Sequence, residues 1–122
     1  MVSVGTKLRV VDNSGALYAY CIKLLGFPNG IASIGERLVV VIKRAVPNKK
    51  IKAHEVRLAL LIYDRHDFKR NQTGVVLRFA YNGVLILDGR FNPIATRIKG
   101  MLPQEFRLQH RIKFLLMAHG VF

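Results

Sequence analysis

A chain of 122 residues can bury one core, and with 51% hydrophobic residues it is too apolar for intrinsic disorder over most of its length. Lysine and arginine number 20 against 7 acidic residues, a formal charge of +13 that a polyanion would relieve; nucleic acid and an acidic membrane surface are the two candidates. A membrane-spanning helix is excluded by pattern, because no clean apolar stretch, Leu58 to Tyr63 among them, comes near the ~20 residues a span requires.

At the start, Met1 to Lys7 shows neither the apolar centre of a signal peptide nor an Arg- and Ser-rich amphipathic stretch, so the chain is expected either to act where it is made or to be already trimmed, with the initial Met weighing against trimming. Lys7-Leu8-Arg9-Val10-Val11 alternates basic and apolar residues, as a half-buried strand does, and runs into the turn residues Asp12-Asn13-Ser14-Gly15. Ala16 to Leu25 reads as a second strand, ended by the loop Gly26-Phe27-Pro28-Asn29-Gly30. It holds the single cysteine, Cys21, which rules out an intrachain disulfide and reads as a packed thiol. Arg37 to Val46 contains the β-branched run Leu38-Val39-Val40-Val41-Ile42 and stops at Pro47-Asn48.

Val56 to Tyr63 is the fourth apolar run. The polar stretch from Asp64 to Gly74 is long for a tight turn and suggests a projecting loop or ribbon tip. Val75 to Phe79 and Val84 to Leu87 read as two short strands joined at Asn82-Gly83, the dipeptide typical of a type I′ hairpin. Several short strands at this spacing predict a closed barrel or sandwich. Beyond Asp88, Gly89, Pro93, Gly100 and Pro103 mark irregular chain, and Phe106, Leu108, Ile112, Leu115 and Leu116 form a rough helical stripe. The expectation is one domain over 1–122, with a barrel about 5–88 and a C-terminal loop and helices about 89–122.

No constellation for catalysis stands out. Asp12 and Ser14 sit in turn chemistry, without the strand-to-helix context that exposes a nucleophile beside a histidine. Gly30 to Gly35 has the glycine spacing of a phosphate-binding loop, but Glu36-Arg37 follows where Lys and then Ser or Thr are needed. His54, His66, His110 and His119 are scattered, and one cysteine cannot build a thiolate metal site, so neither metal nor cofactor is expected. The basic residues do cluster: Lys43-Arg44 with Lys49, Lys50 and Lys52, then Arg65, Lys69 and Arg70, then Arg97, Lys99, Arg107, Arg111 and Lys113. One such cluster could be a solvated face. Three of the same sign suit the irregular phosphates of folded RNA. A free-standing nucleic-acid-binding regulator is the alternative from another class, but most Phe and Tyr fall within apolar runs and not on an evident stacking face.

Several motifs, taken in order, sharpen this reading. They are Val11 to Ala16, Cys21-Ile22-Lys23 with Leu25-Gly26, Ile42-Lys43 with Ala45-Val46-Pro47 and Lys50-Ile51-Lys52, then Arg78-Phe79 with Asn82, Thr96-Arg97-Ile98 with Gly100, and Glu105-Phe106-Arg107. From about Thr6 to Phe122 the chain resembles the bacterial-type large-subunit ribosomal protein L-fourteen family. The resemblance implies a five-stranded antiparallel β-barrel with a projecting β-ribbon and a short C-terminal helical segment. It also implies a structural, non-enzymatic role at the intersubunit face of the large subunit. Its partners there would be large-subunit rRNA, small-subunit rRNA through a bridge, proteins of the L-nineteen and L-three types, and a ribosome-silencing factor, with no membrane. The rRNA-binding set expected from charge and resemblance together is Lys7, Arg9, Asn13, Ser14, Lys23, Lys43, Arg44, Lys49, Lys50, Lys52, Arg65, Lys69, Arg70, Arg78, Arg97, Lys99 and Arg107.

The chain departs from the family pattern at Leu17, at Tyr63-Asp64 and Asp67, at Gln72-Thr73-Gly74, and at Ala95 and Lys99. Such drift on a bacterial plan points to a mitochondrial ribosome, and an organelle-encoded gene would fit it; a divergent bacterial ribosome is the alternative.

Overall fold

The structure is a computed structural model that describes residues 2–26, 30–70, 73–107 and 112–121. The first four strands follow the hydrophobic pattern closely: β1 is Lys7–Val10, β2 Ala16–Leu25, β3 Arg37–Ala45 and β4 Val56–Tyr63. A two-stranded ribbon follows, β5 (Phe68–Lys69) against β6 (Val76–Leu77), and then β7, Gly83–Leu87. Strands β1, β2, β3, β4 and β7 close into a barrel in that order. The β1–β2, β2–β3, β3–β4 and β4–β7 seams are antiparallel, whereas β7 closes onto β1 in parallel. The barrel is therefore mixed and not wholly antiparallel.

The hairpin expected at Asn82-Gly83 does not form. Val76–Leu77 pairs back onto Phe68–Lys69, so the ribbon is an excursion between β4 and β7. Asn82 instead stitches its base, with Oδ1 accepting from the Arg65 N–H and its carbonyl from the Arg9 N–H. Gly83 is needed for space: a Cβ there would lie 2.6 Å from Cδ2 of Tyr63.

Two apolar clusters hold the fold. The barrel interior contains Leu8, Val10, Ala19, Cys21, Leu38, Val40, Ile42, Ala59, Leu61, Val84 and Ile86. Barrel diameter grows with strand number, and five strands leave little room, which accounts for inward-facing Ala and Cys. Burial pushes the Cys21 thiol pKa up, which favours the unreactive protonated form. The second cluster lies outside, where Leu60, Ile62, Leu85 and Leu87 meet Ile98, Leu102, Phe106 and Phe114 of the C-terminal segment. Strands β4 and β7 are thus covered on both faces, and their sequences read as continuous apolar runs where a half-exposed strand would alternate.

The helical stripe resolves into a 3-10 turn, Gln104–Arg107, and one α-helical turn, α1, Ile112–Leu115. Two very short strands that the pattern does not announce, β8 (Met101–Leu102) and β9 (Gly120–Val121), pair in parallel beside them. No helix among the described residues is long and apolar enough to cross a membrane. The expected loop residues Phe27 to Asn29, and Leu108 of the stripe, lie outside the described residues.

Candidate nucleic-acid interface

The turn Asp12-Asn13-Ser14-Gly15 is where separate basic segments meet. Asp12 is 2% exposed, and its carboxylate accepts from the Ser14 N–H and hydroxyl through Oδ1 and from the Ile86 N–H through Oδ2. Burial raises its pKa above the ordinary carboxylate value, and these three donors, with Lys99, oppose that rise. Two of these bonds close the turn on itself, and the one from Ile86 ties it to β7. Asn13 then holds the segment 96–97: its Oδ1 accepts from the N–H groups of Thr96 and Arg97, its Nδ2 donates to Thr96 Oγ1, and its own N–H donates to the Arg97 carbonyl. With the Lys99 N–H on the Val11 carbonyl, residues 97–99 alternate, leaving Arg97 and Lys99 exposed and Ile98 fully buried.

Gly15 fixes the second segment. Its φ is +107°, and a Cβ there would collide with Cβ of Lys49, so the chain that carries Lys49, Lys50 and Lys52 crosses directly above it. The Val46 N–H bonds to the Gly15 carbonyl. Lys49, Lys50 and Lys52 are all exposed, while Ile51 between them is buried in the barrel core.

A third group lies on the outer face of the sheet. Beside Leu17 the β2–β3 register slips by one residue, and it slips back after Tyr18–Arg44. A slip of one residue exchanges the faces of a strand. Ala16 points inward, yet so do Ala19 and Cys21, and Tyr18 and Tyr20 are turned outward, half-buried. Cations cover them: Lys7 Nζ lies 4.5 Å from the Tyr18 ring centre and Lys43 Nζ 5.8 Å from that of Tyr20, while Arg9 lies 4.8 Å from that of Tyr81. Sequence reasoning misses these aromatics. The signal for them is the small–large alternation Tyr18, Ala19, Tyr20, Cys21, once a bulge at Leu17 is allowed.

The acids are spent internally. Glu55, Glu105 and Asp67 pair with Arg57, Arg70 and Arg78 at 2.8, 2.5 and 2.6 Å. Glu36 accepts from the Ser33 hydroxyl, Asp64 from the His66 N–H, and Asp88 from the N–H groups of Arg90 and Asn92. Hydrogen bonds from the Asn92 and Arg90 backbone hold Asp88 below the usual carboxylate range, and the Arg57 guanidinium does the same for Glu55.

Of the expected contact residues, Lys7, Arg9, Lys43, Arg44, Lys49, Lys50, Lys52, Arg97 and Lys99 are exposed around the turn or on the adjoining sheet face. Lys23 is exposed farther along β2, opposite Val39. On the ribbon side Arg65 and Lys69 are exposed, Arg70 is committed to Glu105 and Arg78 to Asp67. Two residues of the set are engaged within the fold. Ser14 is 3% exposed with its hydroxyl given to Asp12, and the Asn13 side chain is taken up at both ends by residues 96–97. Ser14 shapes the surface from beneath, and Asn13, itself exposed, braces it at the surface. The side chain of Arg107 lies outside the described residues. No group of three or more His, Cys, Asp or Glu able to hold a metal occurs among the described residues.

Fold and surface together define a small strand-built module with a packed interior and exposed basic loops. The family model described as Ribosomal protein L14p/L23e matches residues 1–122, the whole chain. The chain belongs to this family. It is a structural protein of the large ribosomal subunit, in a family that is not one of enzymes, and membership implies rRNA and ribosomal proteins as partners and the ribosome as its location.

Proposed function

We propose that this chain binds large-subunit rRNA at the intersubunit face through the basic segments gathered on the Asp12–Gly15 turn. The observation that carries the proposal is that Lys49, Lys50, Lys52, Arg97 and Lys99 are exposed on two segments anchored to one turn, while the acids nearest them, Asp12 and Glu55, are held by bonds within the fold. Phosphate contacts of this kind fix position and orientation without reading sequence. The contact set comprises these residues with Lys7, Arg9, Lys43, Arg44, Lys23, Arg65 and Lys69; the paired Arg70 and Arg78 join it only where phosphate displaces Glu105 or Asp67.

The same reading has the barrel and C-terminal segment pack against proteins of the L-nineteen and L-three types, the ribbon side help form a bridge to small-subunit rRNA, and a ribosome-silencing factor dock on this surface. The ribosome is mitochondrial in this reading, on the strength of the departures at Leu17, Asp64 and Asp67. Sedimentation of a mitochondrial lysate tests it, combined with RNA crosslinking. Migration with large subunits and crosslinks from Lys49–Lys52 and Arg97–Lys99 are expected. A pool confined to the light fractions would contradict the proposal.

A further inference from the structure

An open groove of about 340 Å³ runs beside β1 and β2, lined by Arg9, Arg44, Lys99, Leu17, Tyr18 and Tyr81 among others, with no acidic residue in its lining. Its volume is that of a small-ligand cleft. The register explains how it forms. Tyr18 is the cross-strand partner of Arg9 on β1 and of Arg44 on β3, so the three make one row across adjacent strands. The bulge at Leu17 turns that row outward. Arg9 stacks over Tyr81, which makes a second flat cationic surface, and Lys99 enters from the segment held by Val11.

We infer that this groove receives a single unstacked nucleotide of RNA, its base against Tyr18 or the Arg9–Tyr81 stack and its flanking phosphates on Arg44 and Lys99. The inference rests on the rRNA reading above and deepens it. A groove made only for duplex phosphates would need the cations and not the rings, since A-form RNA presents its backbone and keeps its bases stacked inside. Unpaired bases, by contrast, are held on aromatic side chains and on guanidinium planes. Carboxylate-bearing protein segments would satisfy the charge and leave the flat surfaces unused.

The chain has no tryptophan and four tyrosines, so its intrinsic emission reports on tyrosine. Titration with single-stranded oligoadenylate carrying one 2-aminopurine, in parallel with double-stranded RNA of equal length, tests the inference. Single strands should quench tyrosine emission and lose 2-aminopurine emission on stacking. Tyr18→Leu should weaken single-strand binding about fivefold or more, Tyr18→Phe should preserve it, and duplex binding should be indifferent to both. Equal effects of Tyr18→Leu on both RNAs, or on neither, would overturn the nucleotide site and leave the phosphate reading standing. Unquenched 2-aminopurine on the wild-type protein would do the same, without relying on any variant's folding. Failure of the wild-type protein to bind either RNA would overturn both.

Discussion

Asp12 brings a carboxyl group into the interior because three donors meet it there, and the same donors explain why removing it is costly. Asp12→Ala leaves the Ser14 and buried Ile86 N–H groups without an acceptor, at a cost of about 1–3 kcal/mol, readable by chemical denaturation. Its pH dependence follows from the raised pKa. A folded-state value above 3.8 means that the stability held by the protonated form is complete below pH 3.8 and declines as pH rises through the folded value. The gap between wild type and Asp12→Ala should therefore be widest in acid and narrow on the way up. A gap that widens with pH would contradict this account. Tyr63 offers a similar test at the alkaline end. Burial, with Tyr81 nearby, pushes its pKa up to about 12, and its hydroxyl donates to the Met101 carbonyl at 2.6 Å. The stability it gives is intact below pH 10 and fades as pH rises through 12. Tyr63→Phe should remove a phenolate transition near pH 12 from the absorbance titration; an unchanged titration would show that Tyr63 ionises elsewhere.

Elements differ in how far the sequence announces them. Strands β2 and β4 are legible to the residue, because the β2 run is bounded by Gly15 and Gly26 and the β4 run by the charged Glu55 and Asp64. The ribbon is legible only as a projection. Its pairing is hidden because Asn82-Gly83 carries hairpin chemistry, while the actual constraint on Gly83, the ring of Tyr63 packed against it, is tertiary. Gly83→Ala should cost about 1–3 kcal/mol by overpacking, seen as a lowered melting temperature, although the turn expected of it does not exist. The parallel β7–β1 seam is likewise invisible, since the order in which strands close a barrel leaves no mark on local periodicity. An ion pair ties the ribbon to the C-terminal segment. Arg70–Glu105 is mostly shielded, with side chains 14% and 28% exposed, whereas Arg78–Asp67 is 69% and 52% exposed. Glu105→Ala should cost on the order of 1 kcal/mol and speed hydrogen exchange at the Arg70 N–H, while Asp67→Ala should change stability by less than about 0.5 kcal/mol. Equal effects would mean that burial does not set the worth of these pairs.

For the whole molecule, the surplus of positive charge is plain from composition, and three basic clusters are plain from spacing. What composition cannot give is their convergence. Residues 97–99 and 49–52 are joined through hydrogen bonds and close contacts to a turn far from either in sequence. Ser14 and Asn13, expected as RNA contacts, are also the joints that bring the lysines and arginines together, Ser14 from below the surface and Asn13 at it. The aromatic row is hard to read for a related reason, because a single bulge reverses which side of β2 faces water. The barrel supplies rigidity, the turn supplies placement, and the loops supply charge.

Placement of charge is open to direct measurement through the salt dependence of rRNA binding by the wild-type chain and by the Lys49→Ala, Lys50→Ala, Lys52→Ala triple variant. The logarithm of the binding constant should fall linearly with the logarithm of salt concentration, and the variant's slope should be shallower by roughly 0.9 for each phosphate that the variant no longer neutralises on duplex-like RNA. Parallel lines, with slope and affinity both unchanged, would show that these lysines face only solvent.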